Sequence, residues 1–154
     1  RGSLNRRVEN VSWTEVQEFI QKLNQLDPVY DYRLPTRAEW EHVINRGMNS
    51  PDLLGYESDE LNIPGFVLDD LTPYVQDVAN QYPNAFGVYD TRGKFWEWLQ
   101  DSAHIRAHRV LVGGCQSSVG AQEACFLPVA SGSEKQRFNT VGFRLVRVLK
   151  VPQT

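Results

Sequence analysis

The run Tyr32-Arg33-Leu34-Pro35-Thr36-Arg37-Ala38-Glu39-Trp40-Glu41 contains both the start of a helix and the anchor that seats it. Thr36 followed three positions later by Glu39 is a capping box, in which each side chain satisfies a backbone N–H that has no partner within the helix. Pro35 stands just before that start and Gly47 just after the last apolar residue, as expected of a helix beginning and end. Trp40, Val43 and Ile44 fall on one face, so a short amphipathic helix is expected here. Arg33, set among apolar neighbours, is expected to be a half-buried guanidinium paired bidentately with Glu39, Glu41 or an aspartate.

Working outward, the same signal occurs upstream. Ser12 and Glu15 form a second capping box, and Trp13, Val16, Phe19, Ile20 and Leu23 recur at helical spacing until Asp27-Pro28 ends the pattern. A helix over 13–25 is expected, with one buried face. Between Gly47 and Gly87 the chain is rich in Asn, Asp, Gly, Pro and Ser, with acidic clusters at Glu57 to Glu60 and at Asp69-Asp70; it reads as long ordered loop. From Phe95 onward the period changes to two. Phe95 to Leu99, Arg109 to Val112, Ala124 to Ala130 and Val141 to Leu149 read as strands, with Pro128 marking an edge or bulge. Helices early and an antiparallel sheet late make the fold class α+β.

Composition narrows the function. The chain has 154 residues, 41% hydrophobic and 23% charged, with four Trp, six Tyr and seven Phe, enough for one self-sufficient core. Residues 11–150 read as a single domain, and residues 1–10 as a lead-in beginning with the cloning remnant Arg1-Gly2-Ser3. A net charge of −3 with scattered Lys and Arg argues against nucleic acid as a partner. No apolar run is long enough to span a membrane, and no leader pattern is present. The compartment stays open between cytoplasm and cell surface. Two cysteines, Cys115 and Cys125, lack zinc-ligand spacing and could pair or stay free.

Several strings, in order, resemble the signature of the formylglycine-generating enzyme, or sulfatase-modifying factor, family. They are Val11-Ser12-Trp13; the Tyr32 to Glu41 run; Pro83-Asn84-Ala85-Phe86-Gly87-Val88-Tyr89-Asp90 continuing through Gly93-Lys94-Phe95-Trp96-Glu97-Trp98; Arg109-Val110 with Gly113-Gly114; and Gly142-Phe143-Arg144-Leu145-Val146-Arg147. The resemblance implies a C-type-lectin-like fold with two short helices, an antiparallel sheet and long ordered loops. Trp13, Trp40, Trp96 and Trp98 are expected as core anchors whose indole N–H groups find acceptors.

The resemblance also frames the chemistry. Enzymes of this family oxidise a substrate cysteine with two active-site cysteines and copper, and soft thiolates are what hold Cu(I). Counted from Gly114, the family's cysteine positions fall here on Ser118 and Glu123, which cannot act as thiolates. No copper is therefore expected, and the chain reads as a non-catalytic member; a displaced copper site at Cys115 and Cys125 is the alternative. A related branch uses a three-His iron site, for which His104 and His108 provide no third ligand.

The resemblance implies a structural calcium ion held by Asp90, Gly93, Phe95 and Glu97, all oxygen donors suited to a hard cation. Lys94, or Arg92, could instead neutralise the carboxylates. A second calcium site is a weaker match at Asn62, Asp69 and Asp70. A ligand-facing surface is expected over residues 115–140, from Gln116, Ser117, Ser118, Gln122, Glu123, Phe126, Ser133, Gln136, Phe138 and Asn139, because loops on a rigid scaffold tolerate side-chain exchange. The expected function is recognition of a protein or other macromolecule, in the manner of the variable proteins of diversity-generating retroelements, the domain being part of a longer chain. An exposed apolar patch at Phe126, Leu127 and Phe138 would instead favour a subunit role.

Overall fold

In a computed structural model of the chain, the described residues are 6–46, 83–90, 95–113 and 129–151, the side chains of 44–46 excepted. Helix α1 spans Trp13–Leu26 and begins at the expected capping box, with Ser12 Oγ accepting from Glu15 N at 3.2 Å and Glu15 Oε2 accepting from Ser12 N at 3.0 Å. It stops at Asp27, whose Oδ1 accepts from Val29 N and Tyr30 N and so redirects the backbone out of the helix. Helix α2 spans Arg37–Arg46 and starts from Thr36 and Glu39 in the same way.

A strand without a clear signal in the sequence lies between the helices. Strand β1, Tyr30–Arg33, pairs antiparallel with the last strand of the chain, β6, Val146–Leu149. The outer edge of β1 is closed by side chains of α1. Asn24 Oδ1 accepts from Tyr32 N at 2.6 Å and Asn24 Nδ2 donates to Tyr32 O at 3.0 Å, so one amide takes the place of a neighbouring strand.

The main sheet has the order β4-β3-β2-β5, built from β2 (Trp96–Ser102), β3 (His108–Gly113), β4 (Val129–Ser133) and β5 (Val141–Gly142). Its first three strands are antiparallel, whereas β5 runs parallel to β2. The single strand expected over Val141 to Leu149 is thus two strands in two sheets. The chain switches at Phe143 to Leu145, where Phe143 turns to meet Phe19 at 5.9 Å between ring centroids and Arg144 turns to Glu97. Of the strand expected over Ala124 to Ala130, only Val129 and Ala130 fall among the described residues, and they open β4, which continues to Ser133.

Strand β2 is covered on both faces. Trp96 and Trp98 join Val16, Ile20, Leu34, Leu111, Phe138 and Val141 in one apolar cluster, while Leu99 joins Trp40, Val110, Val112 and Val129 in another. Alternation along the strands sends odd and even positions to different cores, one served by α1 and the other by α2. Glu97 points to the α2 side, at what would otherwise be a core position. Phe19, expected on the buried face of α1, is 48% exposed, since only Val16 and Ile20 of that helix are buried.

Three glycines permit close approaches. A Cβ at Gly142 would lie 2.6 Å from Val8 O. Gly113 has φ +105, and a Cβ there would lie 2.5 Å from Phe95 O, so no side chain fits where β3 ends against β2. A Cβ at Gly132 would lie 2.9 Å from the Phe138 ring, which needs that gap to reach the core. Residues 6–10, read as lead-in, pack on the fold: Asn10 N donates to Phe138 O at 3.2 Å, and the Arg7 guanidinium stacks 4.0 Å from the Phe95 ring centre. Among the described residues, no helix is long and apolar enough to cross a membrane.

Candidate functional site: a pinned surface segment beside a buried ion-pair cluster

The ligand-facing surface expected over 115–140 falls partly outside the described residues, which exclude Gln116, Ser117, Ser118, Gln122, Glu123 and Phe126, together with Cys115, Cys125 and Leu127. What is described is the segment from Ser133 to Thr140, and its backbone is held at many points. Glu134 N donates to Ala107 O at 3.0 Å, and Glu134 O accepts from both Thr14 N at 3.0 Å and Thr14 Oγ1 at 2.9 Å. At the other end Thr140 O accepts from Trp96 N at 3.1 Å. Ser133 pairs with His108 at one end of β3, while Trp96 pairs with Gly113 at the other end. Residues 133–140 therefore run from one end of the sheet to the other, over the Trp98 face.

Phe138 is the middle fastening. It is 6% exposed, packed in the cluster with Trp98 at 5.9 Å between ring centroids. The structure thus moves Phe138 from the surface to the core, because the gap left by Gly132 lets the ring turn inward. Lys135, Gln136, Arg137 and Asn139 are exposed, and Ser133 is half-buried. Gln136 and Asn139 accordingly stand on a backbone that ligand binding need not order, which lowers the entropic cost of recognition.

The capping boxes take part in this fixing. The Glu15 carboxylate, already capping α1, is also gripped by Arg137 through Nε at 2.8 Å and through Nη2. Glu39 caps α2 and takes a fork from Arg33 at 2.6 Å on each oxygen. The Arg137 bond, ahead of the Ser12 backbone bond, holds the Glu15 carboxyl at about 2 rather than the usual 4.5, and Arg33 holds Glu39 at about 2 as well. A depressed carboxyl contributes stability above its unfolded value and loses it as pH falls through the folded value. Acid titration is therefore expected to destabilise the domain between about pH 4.5 and 2, and E15Q and E39Q are each expected to flatten that slope. Both pairs are solvent-exposed, so salt should weaken the effect. Denaturant midpoints against pH would check it, and a midpoint flat across that window would refute the pairing.

Glu97 lies on the opposite side of β2. It is 9% exposed, and its Oε2 accepts from Arg144 Nε at 2.6 Å and from Trp40 Nε1 at 3.2 Å, while Oε1 accepts from Arg144 Nη2 at 2.6 Å. Arg144 also reaches Tyr89 O at 3.4 and 3.5 Å. Burial pulls the Arg144 guanidinium down, but the bond to Glu97 and the charges of Glu97 and Asp90 together raise it. Arg7 is lowered, because its burial outweighs the attraction of the same two carboxylates. Two guanidiniums thus face two carboxylates.

This bears on the calcium ion expected at Asp90, Gly93, Phe95 and Glu97. Gly93 lies outside the described residues, as do Arg92, Lys94, Asn62, Asp69 and Asp70. Phe95 is buried with Arg7 over its ring, Asp90 has a positive φ of 56°, and both Glu97 oxygens are engaged by Arg144. A divalent ion would add two positive charges to a cluster whose described charges already balance, so the described donors do not fit calcium while Arg144 is in place. The melting temperature is expected to be the same in millimolar calcium and in excess chelator. A rise of several degrees with calcium would overturn that expectation.

Two further indoles find acceptors, Trp13 Nε1 donating to Leu99 O at 2.9 Å and Trp98 Nε1 to Val11 O at 3.0 Å, while Trp96, 1% exposed, anchors by packing in the apolar cluster. His104 lies in the exposed turn between β2 and β3, and His108 opens β3 with its Nδ1 against Arg106 O. The Arg137–Glu15 clamp and the Arg7–Phe95 stack had no signal in the sequence, since each joins residues far apart in the chain.

A family profile, described as the sulfatase-modifying factor enzyme 1-like domain, matches residues 2–149. The chain belongs to that family. Two relatives of this sulfatase-modifying-factor-like domain are serine/threonine-protein kinases pkn1. That of Chlamydia pneumoniae is 32% identical over 60% of this chain, and that of Chlamydia caviae (strain ATCC VR-813 / DSM 19441 / 03DC25 / GPIC) is 28% identical over 77% of it. The chain spans only 17% and 21% of the length of these two relatives. The crystal structure of CarF shares the fold, with a TM-score of 0.63 at 21% identity, covering 96% of this chain and 69% of that one.

Proposed function

We propose that this sulfatase-modifying-factor-like domain is a non-catalytic recognition module that binds a protein or other macromolecule through the surface of residues 115–140 and neighbouring loops. The observation that carries the reading is the pinned 133–140 segment, which displays Gln136 and Asn139 on a backbone fastened at both ends and at Phe138. Fixed backbone with exchangeable exposed side chains is the arrangement that lets one fold serve many partners. The names of the longer relatives support a role as a domain attached to a catalytic chain. A retroelement variable protein is one form of such a module, and it would show side-chain diversity confined to the exposed positions of this surface.

The test has two arms. A photo-crosslinking residue at Gln136 is expected to capture a defined partner from the native host, whereas one at exposed Glu18 on α1 captures none. Incubation with copper and a cysteine-bearing peptide is expected to give no oxidation. Turnover abolished by C115S and by C125S would overturn the proposal in favour of an oxidase with displaced thiols.

A further inference from the structure

The crossing segment does not stand alone. Its start is tied to the turn between β2 and β3 by the bond from Glu134 N to Ala107 O at 3.0 Å, so His104 to Ala107 and Lys135 to Asn139 form one continuous surface. That turn is itself held, with His108 N donating to Ile105 O at 3.1 Å and Ala107 at φ +57. Gln136 N donates to Ser133 O at 3.0 Å and closes the turn on the other side.

The charges on this surface are unbalanced. Two carboxylates of the described residues here are already taken, Glu134 by Arg109 at 3.3 Å and Glu15 by Arg137. Arg106 and Lys135 are exposed, and neither makes an ion pair among the described residues. A chain of net charge −3 thus carries, on two segments joined by the Glu134–Ala107 bond, two cations, Arg106 and Lys135, that are not ion-paired among the described residues. Ile105, 53% exposed, lies in the same turn as Arg106 and offers an apolar contact beside them.

From this juxtaposition we infer that the partner is an acidic peptide segment carrying an apolar side chain, seated over Ile105 with its carboxylates toward Arg106 and Lys135. The inference rests on the recognition reading and names its partner chemistry. The amides of Gln136 and Asn139 suit a peptide backbone, since each can both donate and accept. Two cations set about an isoleucine do not make the long basic stripe that nucleic acid needs. Electrostatic complementarity of this kind steers encounter and selects partners more than it adds affinity.

The probe is a fluorescent peptide of alternating glutamate and leucine, titrated with the full chain at low salt and followed by anisotropy. Binding is expected, weakening as salt rises, with a several-fold and up to roughly tenfold loss in R106Q/K135Q. K22E changes the net charge by the same amount at an exposed site on α1 and is expected to bind like the parent. Equal losses in the two variants would reduce the effect to net charge and overturn the inference. So would equal binding of a peptide with glutamine for glutamate, equal binding of polyphosphate, or no binding at all. The crosslinking test at Gln136 is independent of charge: a partner captured there while the acidic peptide fails would leave the recognition module standing with a partner of different chemistry.

Discussion

Replacing Arg144 with alanine is expected to destabilise the domain by about 3 kcal/mol, the lower end of what breaking a buried ion pair costs. Among the described residues, Glu97 would keep only the Trp40 Nε1 donor at 3.2 Å, in a site 9% exposed. The lower end is chosen because Arg7 already lies near enough to be attracted by Glu97, and its charge would partly compensate. The double variant E97Q/R144M should recover much of the loss, since a glutamine oxygen can still accept from Trp40 and no buried charge is left unpaired. Denaturant midpoints for both singles and the double close the cycle. If R144A cost under about 1 kcal/mol, the pair would be a surface ornament and the burial argument would fail.

Trp98→Ala is expected to cost more, about 3–5 kcal/mol, as large aromatic truncations in cores do. The side chain is 0% exposed, meets Phe138 and Leu111, and donates to Val11 O. A loss of that size approaches the whole stability of an ordinary domain, about 5–15 kcal/mol, so the variant should populate unfolded chain at room temperature. Trp98→Phe separates the contributions. It retains most of the packing but leaves Val11 O without its donor, at roughly 1–3 kcal/mol. The Trp98 variants also bear on the proposed function, because Phe138 is the inward fastening of the segment proposed for recognition and packs against this ring. Near-UV circular dichroism and denaturant titration would report both, and a small shift for Trp98→Ala would mean that this cluster is not the main core.

Much of the fold could be read locally. Ser12 with Glu15 and Thr36 with Glu39 announced both helices, because a cap is made by residues three apart and needs nothing from the rest of the chain. The period of two over 95–99 and 109–112 likewise marked strands. The short strand β1 was not legible: four residues, Tyr-Asp-Tyr-Arg, carry too little pattern, and they are held by Asn24 and by β6 from the far end of the chain. The break after Gly142 was missed although the alternation changes phase at Leu145-Val146, from apolar odd positions (Val141, Phe143, Leu145) to apolar even ones (Val146, Val148), and Arg144 leaves the strand to reach Glu97.

The site divides in the same way. The recognition surface in the polar stretch before the Gly142-Phe143-Arg144 string, and Ser118 and Glu123 at the family's cysteine positions, were expectations implied by the family resemblance, and residues 114–128 lie outside the described residues. Tertiary structure decided the rest: that Phe138 is core, that Arg137 clamps the capping Glu15, and that Arg144 has taken both oxygens of the carboxylate expected to hold calcium. Capping and period depend on neighbours within a turn or two of chain. Which guanidinium finds which carboxylate depends on strand register and on which face of β2 each residue occupies, and neither exists until the sheet has formed.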